Sequence, residues 1–174
     1  MDNAFLPKAT LDYAIKIENS SGLTIDFITD KPVTNIRAGL LGVDIPIWAR
    51  FQSNADESFT PRGKYISTWG IMLPWHFDGN MKIVEETEKR LKDAIVAIFP
   101  NFLPMVVEER KTVVAVMNGN ILTPVQSKPH RPDIECATIK GLYFVGDTAK
   151  GNGCSGDISF SSALIAADKI CSQN

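Results

Sequence analysis

The sequence predicts an α/β chain of α+β character, in which a mixed or antiparallel sheet carries helices and a further strand and helix close the chain. Three observations lead there. Short β-rich runs separated by Gly and Pro signals occupy the first part of the chain. One long amphipathic pattern then runs from about residue 80 to 99, and the final segment loses most of its charge.

In chain order, Leu11, Ala14 and Ile15 fall at helical spacing before Asn19-Ser20-Ser21-Gly22, which predicts a short helix over 11–17. Three β-rich runs follow: 23–29, closed by Asp30-Lys31-Pro32; 43–52, with Ile45, Ile47, Trp48 and Phe51; and 64–73, introduced by Thr60-Pro61-Arg62-Gly63. Pro32, Pro46, Pro61 and Pro74 sit at ends or kinks, as residues without an amide donor must. From Gly79-Asn80 to Phe99, the residues Val84, Leu91, Ala94, Ile95 and Ile98 form one apolar stripe. Glu85–Lys89, Glu86–Arg90 and Glu88–Lys92 are i,i+4 pairs in the favourable orientation, worth about 0.2–0.5 kcal/mol each. Pro100 ends that helix. The Val-rich segment 105–117 reads as a strand, Asn118-Gly119-Asn120 as a turn, and Pro124, Pro129 and Pro132 as marks of an extended connection. Leu142-Tyr143-Phe144-Val145, closed by Gly146, has the continuous apolar character of a strand buried on both faces, as in a parallel sheet. The last helix, about 157–171, contains Phe160, Ala163, Leu164, Ile165, Ala166, Ala167 and Ile170, with charge only at Asp157, Asp168 and Lys169, and so expects cover on most of its faces.

At 174 residues the chain suits one domain, or a domain plus a fragment, able to bury roughly 70% of the surface of its unfolded form. Lys+Arg 18 against Asp+Glu 20 gives a net charge of −2 with no block of like charge, which argues against a nucleic-acid partner. Cys136, Cys154 and Cys171 are odd in number and lack C-x-x-C spacing, and His76 and His130 stand in unrelated contexts. Neither a disulfide framework nor a metal site is expected. The N-terminal MDNAFLPKATLDYAIKI has charges at Asp2, Lys8 and Asp12 and no apolar core of a signal peptide, and no run is long enough to cross a bilayer. A soluble cytoplasmic protein is expected, with peripheral contact to a membrane still compatible.

Gly151-Asn152-Gly153-Cys154-Ser155-Gly156 satisfies G-x-G-x-x-G. A dinucleotide turn, however, needs its first glycine at a strand end and an acidic residue on a second strand about 20 positions on. Here Asp147-Thr148-Ala149-Lys150 intervene, only 18 residues follow Gly156, and Asp168 lies within a helix. What the stretch offers instead is a glycine loop entering a helix N-terminus, whose free amides favour an electron-rich ligand atom. Asp147, at the end of the preceding strand, can accept hydrogen bonds from hydroxyls. Such an arrangement suits a polyhydroxylated ligand with an electron-poor ring.

"GLYFVGD…GNGCSGDISFSSALIAADKI" resembles the C-terminal signature of the two-dinucleotide-fold flavoproteins related to phytoene desaturase, protoporphyrinogen oxidase and the flavin amine oxidases. "ADESFTPRGKYISTWG" is similar to the loop and strand of the substrate domain in the phytoene-desaturase branch, and "RPDIECATIKGLYFVGD" to the approach to the last strand. The resemblance covers most of this chain but only the C-terminal portion of a family member. It implies a substrate-binding portion over 1–135, followed over 136–174 by the last strand, loop and helix of an FAD-binding dinucleotide fold. It implies FAD as cofactor: Gly146 and Asp147 for the ribityl contact, Gly153 in the approaching loop, and Gly156, Asp157 and Ile158, through backbone amides, for the flavin ring. The activity implied is hydride transfer from an apolar substrate to flavin.

No strand–GxGxxG–helix with a downstream acid precedes Leu23, so the adenosine half of the FAD site is expected on another chain or on a further part of a longer one. Alone, the chain is expected to bind FAD weakly or not at all, to be active only with that half, and to self-associate through an apolar patch around Leu142, Phe144, Ala163, Ala166 and Ile170. A non-catalytic docking module derived from a flavoprotein half is the alternative. Trp69, Met72, Trp75 and Phe77 could line an apolar substrate channel, or simply pack a core. Asp147 has a simpler reading as a turn residue, Cys154 as a small loop residue, His76 as a structural or exposed side chain, and Arg62 and Lys64 as solvated charges. No catalytic residue is assigned, because in flavin chemistry the cofactor performs the redox step.

Overall fold

The computed structural model describes residues 6–172, which form two compact units, one of residues 21–117 and one of residues 6–20 with 118–172. The family resemblance implies a boundary at 135/136. Chain contacts divide the molecule elsewhere because the segment 118–135 packs with α1 (Lys8–Lys16) and with the C-terminal residues, pairings far apart in sequence.

The unit of residues 21–117 is built on a five-stranded antiparallel sheet in the order β2-β3-β4-β1-β5, which is the expected sheet with helices. Its strands are β1 (Ser20–Thr29), β2 (Gly39–Leu41), β3 (Ile47–Arg50), β4 (Tyr65–Met72) and β5 (Val106–Asn118). β1 pairs with β4 from Gly22↔Met72 to Thr29↔Tyr65, and alternation buries Leu23, Ile25 and Phe27 on one face. The run 43–52 shrinks to β3, because Pro46 lies in a tight turn in which the Gly42 amide donates to Ile47 O at 2.8 Å. From Gln52 the chain turns instead into the short helix α2 (Gln52–Ala55). Gly70 has a packing reason: a Cβ there would lie 2.2 Å from Trp48 Cε2, so only glycine lets the indole rest on β4.

Helix α3 (Met81–Ile98) starts where Asn80 caps it, its side-chain oxygen accepting from Lys82 N at 3.0 Å. Val84, Leu91, Ala94 and Ile95 are buried as expected, whereas Ile98 is exposed because the next residue, Phe99, takes the core position. Of the three expected ion pairs Glu88–Lys92 forms, at 2.9 Å, while Lys89 turns to Asp93 and Glu86 faces Lys82. Lys111 and Glu109 of β5 extend the Glu88–Lys92 pair into a network, with Lys111–Glu88 at 2.6 Å and Lys92–Glu109 at 2.9 Å. Charged side chains along β5 also protect an edge strand from pairing with other chains.

In the other unit, α1 and α4 (Gly156–Cys171) flank an irregular chain around a small core of Ile134, Ala149 and Ala166, with Tyr143, Phe144 and Ile165 against it. The expected strand 142–145 is only an isolated antiparallel bridge, Glu135↔Tyr143, closed by Phe144 N to Ile134 O at 2.7 Å and Cys136 N to Leu142 O at 2.9 Å. Apolar composition alone does not make a ladder, which needs a second strand in register beside it. No helix among the described residues is long and apolar enough to cross a membrane.

Candidate functional site

The segment from Gly146 to Ile158 is held by side chains that its own sequence does not reveal. Gly146 has φ +123°, a conformation that favours glycine, and a Cβ there would meet nothing within 4 Å. Its amide donates to Ser162 Oγ at 2.9 Å, and Ser162 is fully buried on α4. The next residue, Asp147, is half-buried and accepts from the Gly119 amide at 2.8 Å through Oδ2. Gly119 follows the last residue of β5, Asn118, which accepts from Ser155 Oγ at 2.8 Å. The turn 118–119 thus braces both ends of the segment.

Each glycine of the G-x-G-x-x-G run has a different reason. At Gly151 a Cβ would lie 2.3 Å from Ile158 O, so the loop packs directly on the first turn of α4. Gly153, at φ +87°, would collide with Asp157 Cβ at 2.5 Å, whereas Gly156, the first residue of α4, has open space around it. The amides of Asp157 and Ile158, expected to face a flavin ring, close turns onto Cys154 O at 3.0 Å and Ser155 O at 3.1 Å. Ile158 is itself buried, and Asp157 is exposed with Oδ2 3.8 Å from the exposed thiol of Cys154. The segment therefore offers open space at Gly146 and Gly156 and a carboxylate at Asp147, with Gly153 shaping the loop between.

The four candidate substrate residues do not form one surface. Trp69 is fully buried among Phe51, Phe99 and Phe102, with ring centroids 5.8, 6.0 and 5.7 Å away, and Phe77 packs against the same core. Met72 points to the other face of β4, since successive side chains alternate. Trp75 is 56% exposed against the ring of His76, which stands at φ 57°. An apolar groove of about 460 Å³, without a signal in the sequence, lies elsewhere, lined by Thr10, Tyr13 and Ala14 of α1 with Phe144, Val145 and Thr148 around Gly146-Asp147. Burial pushes the Tyr13 hydroxyl above its ordinary range; Arg131 opposes this by charge and hydrogen bond, and Asp147 adds to it.

No protein-family model matches the chain, and no curated protein matches it. Among solved structures it is similar to an oxidoreductase from Methanosarcina mazei, at 20% identity and a TM-score of 0.69 over 95% of this chain and 38% of that one. It is also similar to a protein from Pyrococcus furiosus, at 16% identity and a TM-score of 0.56 over 97% of this chain and 36% of that one. The chain thus shares their fold while spanning little more than a third of their length.

Proposed function

We propose that this chain is the substrate-domain and flavin-contacting part of an FAD-dependent oxidoreductase of the phytoene-desaturase type. The observation that carries the reading is the carboxylate of Asp147 in a segment whose glycines, Gly146 and Gly156, leave empty space where a side chain would stand. The similarity in fold to an oxidoreductase more than twice as long supports it.

The residues present fit a flavin at this one end. Asp147 spends one oxygen on Gly119 and retains lone pairs to accept from ribityl hydroxyls. Gly146 and Gly156 permit close approach of a ring and chain, and the positive end of α4 favours the electron-rich pyrimidine edge. Bound there, FAD would supply hydride acceptance, and this chain would position and exclude water. The groove beside Tyr13 and Phe144 offers an apolar substrate its desolvated wall. The six-residue glycine pattern occurs in the sequence only at Gly151–Gly156, so this reading assigns the adenosine contacts to another chain or to a further part of a longer one.

Titration of the chain with FMN, followed by flavin fluorescence, tests the reading without requiring the adenosine site. Weak but saturable quenching is expected, reduced about tenfold in affinity, the equivalent of ~1.4 kcal/mol, by Asp147→Asn, which keeps an acceptor for Gly119. Equal binding by the Asn and wild-type chains refutes the assignment of Asp147.

A second reading, a docking module without catalysis, has its own observation. Phe160 and Leu164 stand 76% and 68% exposed on one face of α4, opposite the buried Ile158, Ser162 and Ala166. Of the residues expected to form an apolar patch, Ala163 and Ile170 are exposed, Leu142 is half-buried, Ala166 is buried and Phe144 packs against the small core.

A further inference from the structure

We propose that a second cavity, beside the glycine loop, binds an oxyanion, a phosphate or carboxylate group carried by a small ligand. The cavity measures about 460 Å³, and its wall includes Thr123, Lys128, Arg131, Gly151, Asn152 and Gly153. Only Gly153 is shared with the proposed flavin site, and the inference stands whether or not flavin binds.

Arg131 carries it. The side chain is only 5% exposed, yet none of the ion pairs among the described residues involves it. Its Nε donates to Gln126 O at 2.9 Å, the Asn120 amide, turned to present its oxygen, accepts from Nε and Nη2 at 3.1 Å, and the guanidinium also donates to the Tyr13 hydroxyl. Nη1 remains buried with no hydrogen-bond partner. The closest acid in sequence, Asp133, is engaged by Lys150 at 2.7 Å. A buried guanidinium with neither an ion-pair partner nor a full set of acceptors is an expensive arrangement, unless the missing acceptor is a ligand oxygen. The planar fork of donors is the geometry that recognises carboxylate and phosphate.

Two further features of the same wall point to the same chemistry. Thr123 Oγ1 is a second buried polar atom without a partner, able to donate to an anion. Lys128 brings a second cation to the cavity, held there by Asn152 Oδ1, and Lys128 is exposed enough to meet a ligand from solvent. Two cations and a hydroxyl together make a cradle for an oxyanion.

Calorimetric titration of the full chain with inorganic phosphate, pyrophosphate and acetate, each at low and high sodium chloride, tests the inference. At least one of the three is expected to bind saturably, more weakly in high salt. Lys128→Ala is expected to weaken binding about threefold and Thr123→Val by a similar factor, and Arg131→Gln to abolish it. If Arg131→Gln fails to fold, Thr123→Val and Lys128→Ala carry the test, since neither removes a buried charge. Preference for phosphate or pyrophosphate identifies a phosphorylated ligand, and preference for acetate a carboxylate. Absence of saturable binding by all three, or binding unchanged in both Thr123→Val and Lys128→Ala, overturns the proposal.

Discussion

The hydroxyl of Ser162 accepts the amide of Gly146 at 2.9 Å, across sixteen positions of sequence, and so fixes the second turn of α4 to the glycine that precedes Asp147. Ser162 is fully buried, so its loss leaves that amide without an acceptor. Ser162→Ala is expected to cost about 1–3 kcal/mol in denaturant unfolding, the penalty of an unmade buried hydrogen bond. It should also weaken FMN binding, because Gly146 and Asp147 lose their anchor.

The glycines of the loop separate packing from binding. Gly151→Ala places a methyl 2.3 Å from the Ile158 carbonyl, a backbone atom that can yield only by moving the helix, and is expected to cost about 1–3 kcal/mol. Gly156→Ala meets nothing and sits at the start of α4, so thermal unfolding should show no loss of stability. FMN affinity should fall in Gly156→Ala all the same, since the methyl occupies the proposed approach. Undiminished affinity there would remove Gly156 from the site.

Trp69 and Trp75 are distinguished by one experiment. Trp69→Ala empties the centre of an aromatic cluster and is expected to cost about 3–5 kcal/mol. Trp75→Ala, at a side chain 56% exposed, should change stability by no more than about 0.5 kcal/mol.

The Glu88 network predicts an acid limb. Burial pushes the Glu88 carboxyl up, but hydrogen bonds and charge from Lys111 and Lys92 outweigh it and hold it below its ordinary value. A carboxylate whose folded pKa is depressed contributes stability above its unfolded value, near 4.5, and loses it as pH falls through the folded value. Unfolding of the wild type should therefore become easier below about pH 4.5, and Glu88→Gln should flatten that limb while costing about 1–2 kcal/mol at pH 7.

The exposed face of α4 predicts weak self-association. Phe160 and Leu164 make no part of either core, so Phe160→Glu with Leu164→Lys should leave the unfolding transition in place. Sedimentation of the wild type at micromolar concentrations should show association that the double variant lacks.

Much is determined by sequence alone, wherever a local period meets a local purpose. The stripe of Val84, Leu91, Ala94 and Ile95 reports burial within one element and a period of 3.6 reads it, and the β-rich run 23–29 falls within one strand. The same logic places the start of α4 within one residue. Tertiary structure alone decides what lies between elements. Asn118 and Gly119 look like an ordinary turn, yet they brace Ser155 and Asp147, 37 and 28 positions away. Arg131 looks like a connecting residue beside a proline until its burial leaves Nη1 unpaired. Leu142–Val145 has the composition of an interior strand, but hydrogen bonds need a partner, and the folded chain offers it one bridge. Side-chain burial follows from periodicity along the chain, whereas pairing, charge compensation and open space depend on residues that only folding brings together.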